Sequence, residues 1–411
     1  MKTKRKLWAI FFMGVIGFTA SCSSDENGGE NGEERKSISL EINERQAANA
    51  TNEFGFDLFS QVVSSSKVDE NVMVSPVSAS IVLSMLSNGC NGKLAGQIAE
   101  VLGCDNTAAL NSLSAKYFAE LPQVDAAVTV NFANSVWYSD MYSLTGAFTD
   151  TVQTYYTPDI FACDFINNAE GVQKDINEWV SLKTKRIINS FELPLNSQTT
   201  SVFANSLYFK GLWKEKFDKS DTRTEAFYGA RSTVYVPMMD KTLNADYAVD
   251  ERYEMARLDF GKGAYQVTFV LPNEGVSTEE LLESGEFKFE YLDMLFRTNI
   301  AISVPRFKID NLTIKKMTAD FVKMGLTSLE EDLPLEMFNE DITSAYDVYQ
   351  KCAVEFNEEG GEAVAATFVE GMVTSPGQSI NAVMILNRPF LFYITERSTG
   401  AILFAGRVAQ L

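Results

Sequence analysis

The sequence predicts an α+β fold in one large domain. Helical spacing of apolar residues dominates the first part of the chain and strand-like runs dominate the rest, an order that gives antiparallel or mixed sheets with segregated helices. No Gly/Ser/Pro-rich linker interrupts the 411 residues after position 40, and no internal repeat is visible. A hydrophobic fraction of 45% supplies a large core.

Residues 1–21 read as a secretory leader. Lys2-Thr3-Lys4-Arg5-Lys6 is basic, residues 7–18 are an apolar run too short to span a membrane, and Thr19, Ala20 and Ser21 are small. Cys22 directly follows and resembles the lipidated cysteine of a bacterial lipobox, although Thr19 departs from the usual Leu. That resemblance implies cleavage before Cys22 and diacylglycerol attachment to it. Residues 23–34 are polar, acidic and Gly-rich. They cannot bury a core, so residues 22–40 are read as a disordered tether. An acidic stretch after a lipidated Cys also resembles the surface-export signals of some Gram-negative lipoproteins. The expected location is the outer membrane, surface-exposed, with a periplasmic or secreted chain as the alternative. The domain proper spans 41–411.

Within it, helical spacing covers 42–65, through Ala47, Phe54, Leu58 and Val62. It returns at 78–87, through Ile81, Leu83, Met85 and Leu86, and at 175–189, around Ile176, Trp179, Val180 and Ile187. Strand-like runs lie at 127–138, 200–209, 265–271, 299–307, 347–356, 390–395 and 401–408.

The composition excludes several functions. The formal net charge of -20 opposes nucleic-acid binding, which relies on Lys/Arg contacts to phosphate, and favours basic partners. The chain has 0 histidines. Ser-His-Asp and Cys-His hydrolase chemistry, which needs imidazole, is thereby removed, as are His-containing zinc sites. No Ser-Lys or carboxylate motif stands in for them, and the chain is read as a non-enzyme without metal or cofactor. Besides Cys22 the cysteines are Cys90, Cys104, Cys163 and Cys352. Their spacing fits no metal motif, they allow three complete pairings, and free buried thiols are the preferred reading.

The chemistry is carried by residues 347–375. The stretch opens as a strand and continues Glu358-Glu359-Gly360-Gly361-Glu362-Ala363-Val364-Ala365-Ala366-Thr367-Phe368-Val369-Glu370-Gly371-Met372-Val373-Thr374-Ser375. No proline falls between Pro334 and Pro376, so every backbone N–H is free for a sheet ladder. Split by the strand period of two, one face holds Gly361, Ala363, Ala365, Thr367, Val369, Gly371 and Val373, all small and uncharged. The other holds Glu362, Val364, Ala366, Phe368, Glu370 and Met372. The Gly and Ala content makes this a poor strand alone, yet one suited to enter an existing sheet. A half-buried strand or an Ala-rich helix is the alternative from periodicity alone.

From about residue 45 onward the chain resembles the serpins. Glu358-Glu359-Gly360-x-Glu362-Ala363-x-Ala365-Ala366-Thr367 is similar to the hinge of inhibitory members. The run from Met384 through Ile385-Leu386-Asn387-Arg388-Pro389-Phe390 to Phe392 resembles the signature beyond the reactive loop. The run from Gly400 to Val408 resembles the closing strand. Upstream, Asn71 to Ser78 with Leu83 and Met85, and Asn205 to Trp213, resemble two further family blocks.

The resemblance implies a serpin fold: a single domain of three β-sheets and about eight or nine helices, with an exposed reactive-centre loop. It implies a suicide-substrate inhibitor. A protease attacks the loop, an acyl-enzyme forms, and the freed loop enters the large sheet as a new strand, dragging the protease with it. Counting Gly360 as one places the cut after the fifteenth residue, at Thr374–Ser375. A small residue before the cut suits an elastase-like protease such as neutrophil elastase or proteinase 3, not trypsin or chymotrypsin. Subtilisin-like and papain-like cysteine proteases are further candidate targets. The protein is expected to be a monomer. Two departures stand out. Gly361 replaces the usual Thr or Ser, and Gln350 replaces the His that many serpins carry in the shutter beneath the sheet. There, Ser75, Ser78, Asn205 and Gln350 are expected to form a buried hydrogen-bond cluster. The alternative is a non-inhibitory or substrate-type serpin acting as a binding protein, against which the small residues from Ala363 to Thr367 argue.

Overall fold

The computed structural model describes residues 35–104, 107–310, 315–361 and 380–411. The leader, Cys22, the hinge residues Glu362, Ala363, Val364, Ala365, Ala366 and Thr367, and the bond Thr374–Ser375 lie outside them. The described residues all fall in one compact unit. Residues 35–40, read above as the end of the tether, pack against the body instead. Ile38 and Leu40 are buried, and the Ile38 N–H donates to the Ser398 hydroxyl at 2.9 Å. Two apolar side chains in alternation suffice to dock this segment, so the domain begins before residue 41.

Eight α-helices occur among the described residues, within the expected number: α1 (Ile42–Ser64), α2 (Pro76–Ser87), α3 (Gly92–Val101), α4 (Thr107–Glu120), α5 (Gly146–Tyr155), α6 (Phe165–Lys183), α7 (Thr278–Glu283) and α8 (Thr318–Lys323). Local chemistry sets their ends. Glu41 and Glu44 form a capping box at the start of α1, and Asn91, Thr145 and Asp164 cap α3, α5 and α6 through their side chains. The helix expected at 175–189 is instead α6. It starts at the Asp164 cap and stops at Lys183, because Lys185 and Arg186 adopt positive φ of 50° and 66°.

A six-stranded sheet runs β10-β15-β16-β4-β2-β3. Its members are β2 (Val128–Ser139), β3 (Asp159–Cys163), β4 (Ser201–Leu212), β10 (Phe307–Asp310), β15 (Ala353–Asn357) and β16 (Gly360–Gly361). The remaining large network divides into two sheets. One holds β1 (Val72–Val74), β19 (Ile402–Val408), β18 (Phe390–Glu396), β8 (Tyr265–Pro272) and β7 (Tyr253–Phe260). The other holds β5 (Arg223–Tyr228), β6 (Thr233–Val249), β9 (Phe296–Pro305) and β17 (Ala382–Ile385). The long strand β6 joins them by pairing with β7 over only four positions, Asp246 to Val249. Two ribbons complete the set: β11 (Lys315–Lys316) with β14 (Tyr349–Gln350), and β12 (Leu333–Pro334) with β13 (Thr343–Ser344).

Strands β8, β18 and β19 are buried along their whole length. They form the central layer, on which α1 packs through β19 and which meets the six-stranded sheet through Phe269 and Phe392 against Phe356, while α2 touches both β19 and β4. Two expected strands are interrupted. The run at 299–307 breaks at Arg306, and the run at 347–356 breaks at Lys351 and Cys352. Among the described residues no disulfide joins Cys90, Cys104, Cys163 and Cys352, and three of the four are buried as expected, with Cys104 partly exposed.

Close packing of the central layer makes a prediction. A Cβ on Gly406 would lie 2.3 Å from the Phe392 ring, and Phe392 is fully buried with no room to turn. Gly406→Ala is expected to cost about 1–3 kcal/mol, measured as a lowered urea midpoint.

Candidate functional site

Strand β4 is paired along one edge only. From Tyr138↔Ser201 to Val128↔Gly211 it pairs with β2 without interruption. On its other edge only Gly211 and Leu212 pair, with Gly361 and Gly360 of β16. Among the described residues no strand pairs with Ser201 to Lys210 on that side. Across the opening stand β14 and β15. Between them lies a cavity of about 340 Å³ with polar side chains from Ser75, Ser78, Asn205 and Gln350 and apolar ones from Ile188 and Phe404.

The two-residue strand β16 closes the top of this opening. Phe356 and Asn357 of β15 pair with Gly361 and Gly360 on one side, and β4 takes the other. Gly360 has φ +152°, and a Cβ there would lie 2.1 Å from the Gly211 carbonyl oxygen. Only glycine lets the two backbones approach this closely. Gly361 differs, since its Cβ would meet the nearest ring at 3.6 Å, an ordinary contact. The hinge is also sewn down through its backbone. Trp213 and Phe217 donate their N–H groups to the Glu359 and Glu358 carbonyls at 2.9 and 3.1 Å. The Trp213 indole N–H donates to the Asn357 carbonyl at 2.8 Å, and its ring stacks on Phe260.

Two carboxylates fasten this corner to opposite sides. Glu358 accepts from the Thr222 hydroxyl at 2.8 Å and pairs with Arg306, at the break between β9 and β10. Burial works against its charge, but the Arg306 guanidinium, the backbone and Thr222 outweigh burial and hold its pKa below the usual value. Glu359 pairs with Lys216 at 2.9 Å and Lys219 at 3.4 Å, on the connection after β4. Lys216 chiefly lowers its pKa.

Of the four expected shutter residues, three come together. The Ser75 N–H donates to Gln350 Oε1, and Gln350 Nε2 donates to the Ser75 carbonyl, each at 2.9 Å. The Ser75 hydroxyl meets Ser78 Oγ at 3.0 Å and donates to the Leu403 carbonyl at 2.7 Å. Asn205 is not in this cluster. It stands across the opening, where its Nδ2 donates to Asn134 Oδ1 at 2.8 Å. The expected single cluster is therefore split, because β14 and β4 stand on opposite sides of the cavity. Asn205 Oδ1 is buried and finds no protein partner among the described residues, and neither do Ser201 Oγ, Ser206 Oγ or the Tyr346 hydroxyl. All four residues line the cavity. Such groups cost about 1–3 kcal/mol each when left unsatisfied, so they call for solvent or an incoming strand. Cys352 also lines the cavity, but burial pushes its thiol up to about 12, which keeps it protonated and unreactive.

Sequence reading missed Arg306, Thr222, Lys216, Lys219 and Asn134. A signal existed for Arg306, the cation that interrupts the strand-like run 299–307. Asn134 is likewise an amide set in strand β2, directly opposite Asn205.

A family model described as Serpin (serine protease inhibitor) matches residues 49–411. Human Serpin B3 is 30% identical over 390 residues, covering 88% of this chain and 98% of its own. Among solved structures, the thermophilic serpin tengpin in its native state superposes with a TM-score of 0.79 at 25% identity, covering 92% of this chain and 96% of tengpin. Human thyroxine-binding globulin complexed with its ligand shares the fold, with a TM-score of 0.78 at 24% identity, covering 90% of this chain and 99% of that one.

Two predictions follow from the hinge. Gly360→Ala is expected to undock it, raising amide exchange at Trp213 and Phe217 by about tenfold or more, whereas Gly361→Ser leaves both protected. Glu358 and Glu359 have folded-state pKa values below those of the unfolded chain. Their contribution is therefore present above the unfolded value, about 4.3, and is lost as pH falls through the lowered folded values. Exchange protection of the same amides should fall below about pH 4.3, and Glu358→Gln combined with Glu359→Gln should remove most of that pH dependence.

Proposed function

The chain belongs to the serpin family, and from that premise we propose that it is an irreversible suicide-substrate inhibitor of elastase-like serine proteases. It is not an enzyme on this reading. It traps the protease as an acyl-enzyme after attack at Thr374–Ser375. We propose further that Cys22 carries a lipid anchor and that the protein is displayed at the outer membrane.

One observation carries the reading: the register of β16. It pairs Gly361 with Gly211 on one side and with Phe356 on the other. Continued through an entering strand, the same registers set Glu362 opposite Lys210, an opposite-charge pair. They set Thr367 between Asn205 and Gln350, the two halves of the divided shutter. A hydroxyl there would supply the donor that Asn205 Oδ1 lacks. Residues on the Gly361 face share the side of Phe209, which is buried in the main core. That is the side where the small, uncharged residues Ala363, Ala365 and Thr367 fit. The open edge of β4 ends at Ser201, which this register sets opposite Gly371. Twelve residues from Gly360 to Gly371 span about 40 Å as a strand. The residue esterified to the protease, Thr374, would emerge beyond the far end. Displacement on that scale is what removes an acyl-enzyme from its catalytic geometry.

A binding-protein role is the second reading, on the fold shared with thyroxine-binding globulin. The small residues of the hinge favour insertion over it.

Incubation with neutrophil elastase, followed by a denaturing gel, tests the proposal. The expected result is a covalent band near the summed masses, with cleavage mapped to Thr374–Ser375. Ala363→Arg should abolish the band while leaving cleavage intact, because a buried cation on the core face blocks insertion. Clean cleavage of the unmodified chain without an adduct would sink the inhibitor reading.

A further inference from the structure

Four large apolar side chains gather, exposed, at one corner of the domain. Phe296 is 77% exposed, Val249 69%, Met294 55% and Ile380 53%. The strand registers bring them together. Tyr247 of β6 pairs with Phe296 of β9, where that ladder ends, and Val249 lies two residues beyond Tyr247 while Met294 lies two residues before Phe296. Strand β17 runs parallel to β9, with Ala382 opposite Ile300. The Asn381 N–H donates to the Asn299 carbonyl at 2.9 Å, so Ile380 arrives level with Thr298. From Phe296 it is about 4.8 Å sideways and about 7 Å along.

Isolated exposed apolar residues are ordinary, but a contiguous group with a charged rim marks an interaction surface. The rim here is acidic. Asp250, Glu251, Glu290 and Asp293 are exposed on the segments that carry the group, against one exposed lysine, Lys288. The nearby arginines are already engaged: Arg252 with Glu280 and Glu286, Arg257 with Asp293, and Arg297 with Asp246.

The position of this corner identifies what covers it. Ile380 follows Ser375 by five residues, so at most about 17 Å of chain separates the proposed cut from the group. A protease domain is wider than this distance, so the rim of a cleft holding that bond reaches as far as the corner. We infer that Val249, Met294, Phe296 and Ile380, with their acidic rim, form a docking surface for the attacking protease outside the reactive loop. It fits a protease with an apolar, basic rim beside the subsites that receive the residues after the cut. The inference rests on the inhibitory reading only for the position of the bond. The apolar centre slows dissociation of the encounter complex, and the acidic rim speeds its formation in a salt-dependent way.

The test uses the full chain and neutrophil elastase, and reads the second-order rate at which the intact chain disappears, whether to adduct or to cleaved product. Phe296→Ser combined with Met294→Ser should lower that rate about tenfold and leave the ratio of adduct to cleaved chain unchanged. Asp250→Lys with Glu251→Lys should lower it and flatten its dependence on salt. Tyr235→Ser is the control. Tyr235 is 75% exposed on the same strand β6, but about 40 Å from this corner along it, and its loss should change nothing. An unchanged rate in the double serine variant, with an unchanged thermal midpoint, overturns the docking surface and leaves the inhibitory reading standing. Cleavage of the unmodified chain without adduct overturns the inhibitory reading, while the rates still decide on the surface. No attack at Thr374–Ser375 overturns both.

Discussion

The open edge of β4 is the constraint from which the rest follows. An interior strand normally has both edges paired, and β4 has one, from Ser201 to Lys210, facing a cavity instead of a neighbour. The edge cannot drift closed. On one side β2 holds β4 over its whole length, and on the other the break at Lys351 and Cys352 leaves β14 pairing with β11 and β15 with β10. Two glycines then wedge the top. Any segment that fills the opening must be antiparallel to β4, must continue the β16 register, and must carry small side chains toward Phe209. These are geometric demands, and one stretch of this chain meets them all by composition and by position.

Electrostatics act chiefly on the hinge. Glu358 and Glu359 anchor the turn through Arg306 and Lys216, which favour their ionised forms and lower their pKa values. Below them the shutter groups are amides and hydroxyls, and the two charged residues of the lining, Asp347 and Lys351, are held by Lys316 and by the Ser190 carbonyl. Gln350 bridges the Ser75 backbone with an amide, in a chain with 0 histidines. An imidazole in that place would change charge near neutrality, whereas an amide cannot. The opening is therefore governed by strand geometry and hydrogen bonding across the neutral range.

Much of this was legible from sequence where the pattern was local. Helix α1, strand β4 and the buried closing strands follow from periodicity and spacing. The failures have physical causes. The end of α6 depends on left-handed Lys185 and Arg186, which no apolar period announces. The split of 347–356 depends on two different partners, β11 and β10, competing for one run of residues. Strand β6, with its exposed and buried positions irregularly mixed, shows no clean period because it serves three neighbours in turn. The separation of Asn205 from Ser75 and Gln350 is a property of the unfilled opening, and side-chain chemistry alone suggested they should meet.

Gly361 is where the sequence and the structure bear on each other most directly. As a residue it is a poor choice for a strand that must form quickly, since glycine loses the most backbone entropy and packs nothing. Its surroundings offset this. It pairs with another glycine, Gly211, whose Cβ position is already crowded by Phe260 at 2.9 Å and Phe209 at 3.0 Å. Those two rings, 5.3 Å apart, cover both glycines at once, and Trp213 stacks on Phe260 from beyond. The aromatic cluster supplies the burial that a side chain at 361 would otherwise provide, in the way rings compensate for glycines on strand edges. Only Gly360 is demanded by backbone contact. Gly211 is the glycine that lets the rings close over the hinge, and the entropic cost of Gly361 is met by that packing, which is complete before any protease arrives.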